Sequence, residues 1–434
     1  MDKMADVLGR AGAWCGQNKY LSAIKNAFQN FMPLTIAGAI GVLWCNVLVN
    51  DQTGLGLFFK PIMALDFLNP AFQAVNFCTI SCITVGITLG IAQEIGVWNM
   101  GAEKAGYIPG LVGLAAWLSV TNTSHMVDGA KEAFTGIAGN ELGATGLFTG
   151  MIIGVLSVEL FCFFEKQDAL KIKMPEQVPP GVARAFEVLV PATITLIITA
   201  CIGSACYNLT GLYLNDVIKN GIQGPLGAVG ATIPGVMIIY LVIMLFWLVG
   251  IHGNNMLSAV KEALFTPLAL ENVEAFNKGE TPKNIINMYA LQMWGEFGGS
   301  GVTIGLVIAI MIFGKREDNK AIASLSLVPG LFNINETVTF GIPMVLNPIL
   351  GIPFVVAPLI TIIIGYVLTV IGFCPVACLT VPWTTPPIVF GFLATGANIM
   401  GAVTQAILIV VSTVIYVPFL IAYEKYQNKQ AAEA

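Results

Sequence analysis

Residues Thr337–Tyr423, which open TVTFGIPMVLNPILGIPF and close VSTVIYVPFLIAY, run for 87 positions without an Asp, Glu, Lys, Arg or His. A water-facing surface cannot be assembled from such a stretch, because roughly 25% of an ordinary soluble chain is charged. Nor does it read as plain spanning helices, since Pro343, Pro348, Pro353, Pro358, Pro375, Pro382, Pro386 and Pro387 interrupt it. Proline removes an N–H and clashes with the preceding turn. Irregular backbone at membrane depth survives only where protein or a water-filled cavity satisfies it. The stretch therefore predicts discontinuous helices or re-entrant hairpins, and a transport site in the C-terminal half.

The whole 434-residue chain agrees, with 56% hydrophobic and 10% charged residues and a mean hydropathy of +0.80. Twenty basic against 25 acidic residues give a net charge of −5, so no basic field exists for nucleic acid. The composition predicts an all-α polytopic membrane protein. Candidate spans in the first half are Phe31–Val49, Phe72–Ala92, Tyr107–Val120, Leu147–Phe164 and Phe186–Leu209. The first 30 residues lack a signal-peptide core and read as an amphipathic cytoplasmic helix leading into the first span. With the N-terminus inside, nine Lys and Arg residues fall on inner segments and three (Lys60, Lys131 and Lys219) on outer ones, favouring a cytoplasmic N-terminus. The charged, proline-bearing Glu165–Arg184 is expected at the cytoplasmic face, and Glu271–Lys283 is expected to be another loop outside the hydrocarbon.

Few side chains remain for chemistry. Glu336, in GLFNINETVTFGIP (Gly330–Pro343), is the last charge before the long uncharged run. A carboxylate there is costly unless it faces a cavity or partner, which favours function over a buried structural acid. His252, in VGIHGNN (Val249–Asn255), is the only ionisable side chain near neutrality between Asn220 and Val260. Gly253 would let a ligand approach the backbone, and Asn254 and Asn335 carry amides suited to hydroxyl recognition. His125, in TNTSHMVDG, reads as an outer surface-loop residue. Trp383, in VPWTTPP, could stack on a sugar ring or anchor at the interface. Glu296, ahead of Gly298-Gly299-Ser300-Gly301, could line the site or sit at a membrane boundary.

Other chemistries find no support. There is no GxxxxGK[ST] loop for ATP, no HExxH, no ligand set for a metal, and nothing that calls for a cofactor. The nine cysteines form no CxxC pair, and Cys374 and Cys378 have no His or second thiol pair nearby, so they read as small hydrophobes.

Several long motifs carry a family likeness: KMPEQVPPGVARAFEVLVP (Lys173–Pro191), GIHG (Gly250–Gly253), NINETVTFGIPMVLNPILGIPF (Asn333–Phe354), VPWTTPPIVFGFLATG (Val381–Gly396), MPLTIAGAI (Met32–Ile40) and ELGATGLFTGMIIGVLSVELF (Glu141–Phe161). The chain resembles the enzyme IIC component of the bacterial sugar phosphotransferase system, in the lactose/cellobiose/diacetylchitobiose class. The resemblance implies a homodimer in the bacterial cell membrane, with about ten transmembrane helices per protomer. Residues 1–212 would form the dimer-interface domain. Residues 213–434, with two re-entrant hairpins, would form a sugar-holding domain that moves as an elevator. A β-linked disaccharide would be carried inward and its 6-hydroxyl phosphorylated by phosphorylated enzyme IIB, a separate polypeptide charged by IIA and the phosphocarrier protein. The family's acid and histidine at the sugar match Glu336 and His252, and its tryptophan matches Trp383. Thr337 stands where many relatives would carry proline. In phosphoryl transfer to an alcohol, Glu336 would act as general base, provided it is withdrawn from water, and His252 as an orienting or charge-stabilising partner. The rival reading is an ion- or proton-coupled secondary sugar transporter using the same pair as a proton relay.

Overall fold

The computed structural model describes residues 10, 13–14, 17–51, 55–125, 133–175 and 177–433, and these are mostly helical. Each expected span of the first half falls on a helix. α1 (Lys19–Leu43) continues through a wider turn at Trp44–Leu48, and its first residues are continuous with the span. The start of the expected N-terminal amphipathic helix lies largely outside the described residues. The expected span Phe72–Ala92 is not straight: Lys60–Ser81 and α2 (Ile83–Met100) meet at a 42° bend. α3 (Ile108–Val120), α4 (Ala144–Glu165) and α5 (Pro180–Thr210) follow. Among the described residues, five helices are long and apolar enough to cross a membrane, or seven if two bent pairs each count as one span. Two shorter apolar helices, α3 and α6 (Ile233–Leu248), accompany them.

The chain forms two compact units. One comprises 17–38 and 74–227; the other comprises 1–16, 39–73 and 228–434, so the segment after α1 groups with the C-terminal half. In the first unit α2, α3, α4 and α5 pack around Ala116, Trp117, Val120 and Ile153. A Cβ at Gly154 would lie 3.1 Å from the Thr88 carbonyl oxygen, so the α2–α4 approach depends on glycine there. Several polar side chains in these helices pair with one another. Asn26 donates to Glu94 (2.9 Å), Lys19 pairs with Glu159 (2.6 Å), and buried Glu165 pairs with Lys104 (2.8 Å) and Arg184 (2.9 Å). Arg184 itself lies in α5, so the charged stretch from Glu165 ends inside a helix. His125 pairs with Phe134 in a two-residue ladder, and 126–132 lie outside the described residues.

The second unit contains the interrupted elements predicted from the prolines. In chain order these are α6, α7 (Gly253–Asn277), α8 (Met288–Gly295), α9 (Ile304–Phe313), α10 (Glu317–Leu331), α11 (Glu336–Gly341), α12 (Gly351–Val370), α13 (Val389–Ala394) and α14 (Ile399–Glu433). The segment Met288–Val302 meets α9 at 60°, across Gly298, Gly299 and Gly301, all with positive φ. α9 and α12 pack on α14, with Trp294, Leu306, Ile310, Leu408 and Tyr416 fully buried. Large apolar side chains such as Ile238, Ile312, Val410 and Val414 stay on the surface, as a hydrocarbon-facing wall requires. One expectation needs correction: Glu271–Lys283 is not a loop throughout. α7 continues to Asn277, because nothing breaks it before Gly279, whose φ is +72°.

Between α12 and α13 the chain is irregular yet buried at Cys374 and from Ala377 to Val381, and amide side chains help satisfy it. Asn272 and Asn287 both donate to the Ala377 carbonyl (3.0 and 3.1 Å). Asn287 also caps α8 by accepting from Tyr289 and Ala290. Gln405, 1% exposed on α14, accepts from the N–H groups of Ile388 (2.7 Å) and Gly391 (2.8 Å) and donates to the Met293 carbonyl (3.2 Å). Gln405→Leu keeps the volume and strands these backbone groups at about 1–3 kcal/mol each. The variant is expected to unfold at a clearly lower temperature in detergent.

Candidate functional site

α6 ends at Leu248, and Gly250, with φ +81°, reverses the chain toward α7. His252 is the N-cap of α7, its Nδ1 accepting from the Asn255 N–H at 3.2 Å. An acceptor Nδ1 places the proton of the neutral ring on Nε2. That nitrogen lies 3.7 Å from Glu336 Oε1. The separation exceeds a hydrogen bond, so neither group consumes the other and a hydroxyl beside them can engage both. The Trp247 ring, with its centroid 4.4 Å from that of the imidazole, fixes the remaining face.

Glu336 opens α11, and the preceding Asn-Ile-Asn sets its position. Asn333 adopts φ +62°, a conformation that asparagine tolerates. Its Oδ1 accepts from the Gly298 N–H (2.7 Å), and its Nδ2 donates to the carbonyls of Trp383 (2.5 Å) and Thr385 (3.1 Å). Asn335 is buried and donates to the Ser300 carbonyl (2.8 Å). Three irregular segments, at 298–300, 333–336 and 383–385, are thereby tied together beside the α7 N-terminus.

Asn254 donates to Ser300 Oγ (2.8 Å) and accepts from Lys261 (3.3 Å), so its amide, like that of Asn335, is already engaged by protein. Gly253 is buried against the backbone carbonyl of Ile243, and that close approach accounts for glycine there. Side-chain surface for a ligand remains on His252 (37%), Glu336 (45%) and Trp383, which is 44% exposed. Glu336 is therefore not withdrawn from water by the protein itself, because its helix begins at the tip of a broken segment.

Glu296 follows the last turn of α8, not the start of a helix, and its Oε1 accepts from the Tyr240 hydroxyl (2.7 Å) and pairs with Lys261. Lys261 Nζ also lies 5.6 Å from the Tyr240 ring centroid. Lys261 also donates to Asn254 Oδ1, two residues after His252, and so ties the Glu296–Lys261 pair to the start of α7. Sequence reasoning missed Lys261, Tyr240 and Asn333. The signal for Lys261 was its position as the first charge after the uncharged run from Asn220, but its acid lies 35 residues away. Among the described residues no group of three or more His, Cys, Asp or Glu side chains could hold a metal. Cys374 and Cys378 are free and buried.

The unit of broken helices thus carries a His–carboxylate pair and an exposed tryptophan, and comparison with known proteins specifies the class of protein. The family described as "Phosphotransferase system, EIIC" matches residues 25–358, and the chain belongs to it. It is thus a sugar permease component of that system and a multi-pass membrane protein, and components of this kind act with an EIIB partner. The oligo-beta-mannoside-specific EIIC component of Bacillus subtilis is 33% identical over 98% of this chain and 94% of its own length. The cellobiose-specific EIIC component of Lactococcus lactis is 30% identical over 98% of both. The crystal structure of the transporter ChbC, the IIC component of the N,N'-diacetylchitobiose-specific system, superposes with a TM-score of 0.88 at 30% identity over 97% of both chains.

Asn333 offers a direct check on the three-segment junction. Asn333→Gly keeps the backbone conformation but loses three hydrogen bonds, whereas Asn333→Val loses both. Sugar binding measured calorimetrically in detergent is expected to weaken about tenfold or more in the glycine variant, with a larger fall in thermal stability for valine.

Proposed function

We propose that the chain carries a β-linked disaccharide of the cellobiose, lactose or diacetylchitobiose type across the membrane and presents its 6-hydroxyl to phosphorylated enzyme IIB. The observation that carries this reading is the His252 Nε2–Glu336 Oε1 pair at 3.7 Å, with the Trp383 segment bound to Asn333 next to it. Sugar C–H faces would rest on the exposed indole, and the reactive hydroxyl would lie between imidazole and carboxylate. Glu336 takes the hydroxyl proton as the sugar oxygen attacks phosphorus. The new O–P bond replaces the S–P bond of the phosphocysteine on IIB, and the thiolate leaves with IIB. His252, with Nδ1 occupied as a cap, directs its Nε2–H at the same oxygen and orients it. Arrival of the sugar and of IIB removes the water that surrounds Glu336 in the free chain, which raises its effectiveness as a base.

The proposal extends to architecture. Residues 1–212 are the dimer-interface domain of a homodimer; residues 213–434 are the transport domain, whose broken segments are re-entrant hairpins, and it moves as an elevator with the N-terminus in the cytoplasm. The cellobiose and N,N'-diacetylchitobiose named for two of the similar proteins support the substrate class, and the distribution of basic residues supports the orientation. Family membership favours phosphorylation-coupled uptake over the ion-coupled alternative.

The test is phosphoenolpyruvate-dependent phosphorylation of a disaccharide panel by membranes containing this protein and the soluble phosphotransferase proteins. Glu336→Gln is expected to lower phosphorylation by about 10²–10⁴-fold, the usual worth of a general base, with sugar affinity within a few fold. Full phosphorylation by that variant would remove the base assignment. Uptake of unmodified sugar driven by a pH gradient would replace the whole reading with a secondary transporter.

A further inference from the structure

Lys261 is a buried cation in α7, next to Glu262 and at the end of the uncharged run from Asn220, and the mechanism above does not use it. Its side chain is 7% exposed, pairs with Glu296 Oε1 and donates to Asn254 Oδ1 at 3.3 Å. A buried charge is retained at a cost in desolvation unless geometry and further hydrogen bonds compensate it. Here both partners lie on the site. Asn254 stands two residues after His252 and is bound to Ser300 (2.8 Å), whose carbonyl in turn holds Asn335, the residue before Glu336 (2.8 Å). Glu296 is asymmetric: Oε1 takes both Tyr240 and Lys261, whereas Oε2 has no hydrogen-bond partner among the described residues, and the side chain keeps 16% exposure. An anchored carboxylate with one open oxygen is a directional acceptor, and a charged acceptor binds a hydroxyl more strongly than a neutral one does.

We propose that Lys261 is a positioning residue of the sugar site: with Tyr240 it locks Glu296 through Oε1, so that Oε2 accepts a hydrogen bond from one particular sugar hydroxyl remote from the phosphorylated one. Lys261 does not touch sugar. Its contribution lies in selecting ligands that carry that hydroxyl, because a site built around a fixed acceptor rejects an analogue that leaves it unpaired. The inference rests on the function proposed above.

The experiment measures KM and kcat for phosphorylation of the parent disaccharide and of a set of analogues each lacking one hydroxyl, for wild type, Lys261→Met, Lys261→Arg and Tyr240→Phe. Wild type is expected to reject one deoxy analogue by about tenfold or more in KM. Lys261→Met is expected to raise KM for the parent by about the same factor, leave kcat within about threefold, and lose the discrimination against that analogue. Lys261→Arg should restore part of the discrimination. Tyr240→Phe, which keeps the ion pair and so does not strand a buried charge, should shift KM the same way to a smaller extent. Equal losses for parent and all analogues, or an unchanged deoxy-sugar profile in both Lys261→Met and Tyr240→Phe, would overturn the positioning role. Wild-type membranes that phosphorylate no sugar would instead overturn the proposed function.

Discussion

The second unit depends on a single constraint: backbone that leaves the helical pattern inside a membrane protein must find its hydrogen bonds within the chain. Water cannot supply them in hydrocarbon, and each orphaned group costs several kcal/mol there by the usual estimates, roughly 2–7 for an amide or hydroxyl. Pro353 and Pro358 are accommodated inside α12, while the other six of the eight prolines from Pro343 to Pro387 lie in irregular backbone. Amide side chains answer it: Gln405 serves two N–H groups and one carbonyl, Asn272 and Asn287 share the Ala377 carbonyl, and Asn333 links two further segments. An amide suits this task because it offers donors and acceptors without a charge to desolvate.

That use of amides decides which groups remain for chemistry. Asn254 and Asn335 are committed to Ser300, so the free functional surface falls mainly to His252, Glu336 and Trp383, with a smaller share on Glu296. His252 serves twice. One ring nitrogen caps α7 and thereby fixes the tautomer, and the other faces the carboxylate. A histidine without the capping bond could present either nitrogen; this one presents Nε2 because Nδ1 is taken.

The few charges in the apolar helices follow the same economy. In the first unit Glu94, Glu159 and Glu165 each meet a named amide or cation. In the second, Lys261 and Glu296 meet each other beside Tyr240. Glu336 differs in being half exposed, with an imidazole that is neutral in its ordinary state 3.7 Å from its carboxylate. An acid left with so weak a partner in so apolar a chain marks the place where a ligand completes the structure.

The sequence by itself determined the class of molecule, since no arrangement of a chain with 10% charged residues and an 87-residue uncharged run covers a water-facing surface. Proline spacing made the interrupted helices legible, and scarcity singled out Glu336 and His252, because each is alone in its stretch. Tertiary structure decided what spacing along the chain cannot encode. The 42° bend before α2 and the helical continuation to Asn277 turn on packing and on where a breaker actually falls. Asn254, Asn335 and Gly253 read from sequence as ligand contacts, yet their partners are Ser300 and the Ile243 backbone. The importance of Lys261 and Asn333 was invisible for one physical reason: a hydrogen bond or ion pair belongs to two positions, and the second, 35 or 50 residues away, is chosen only when the chain folds.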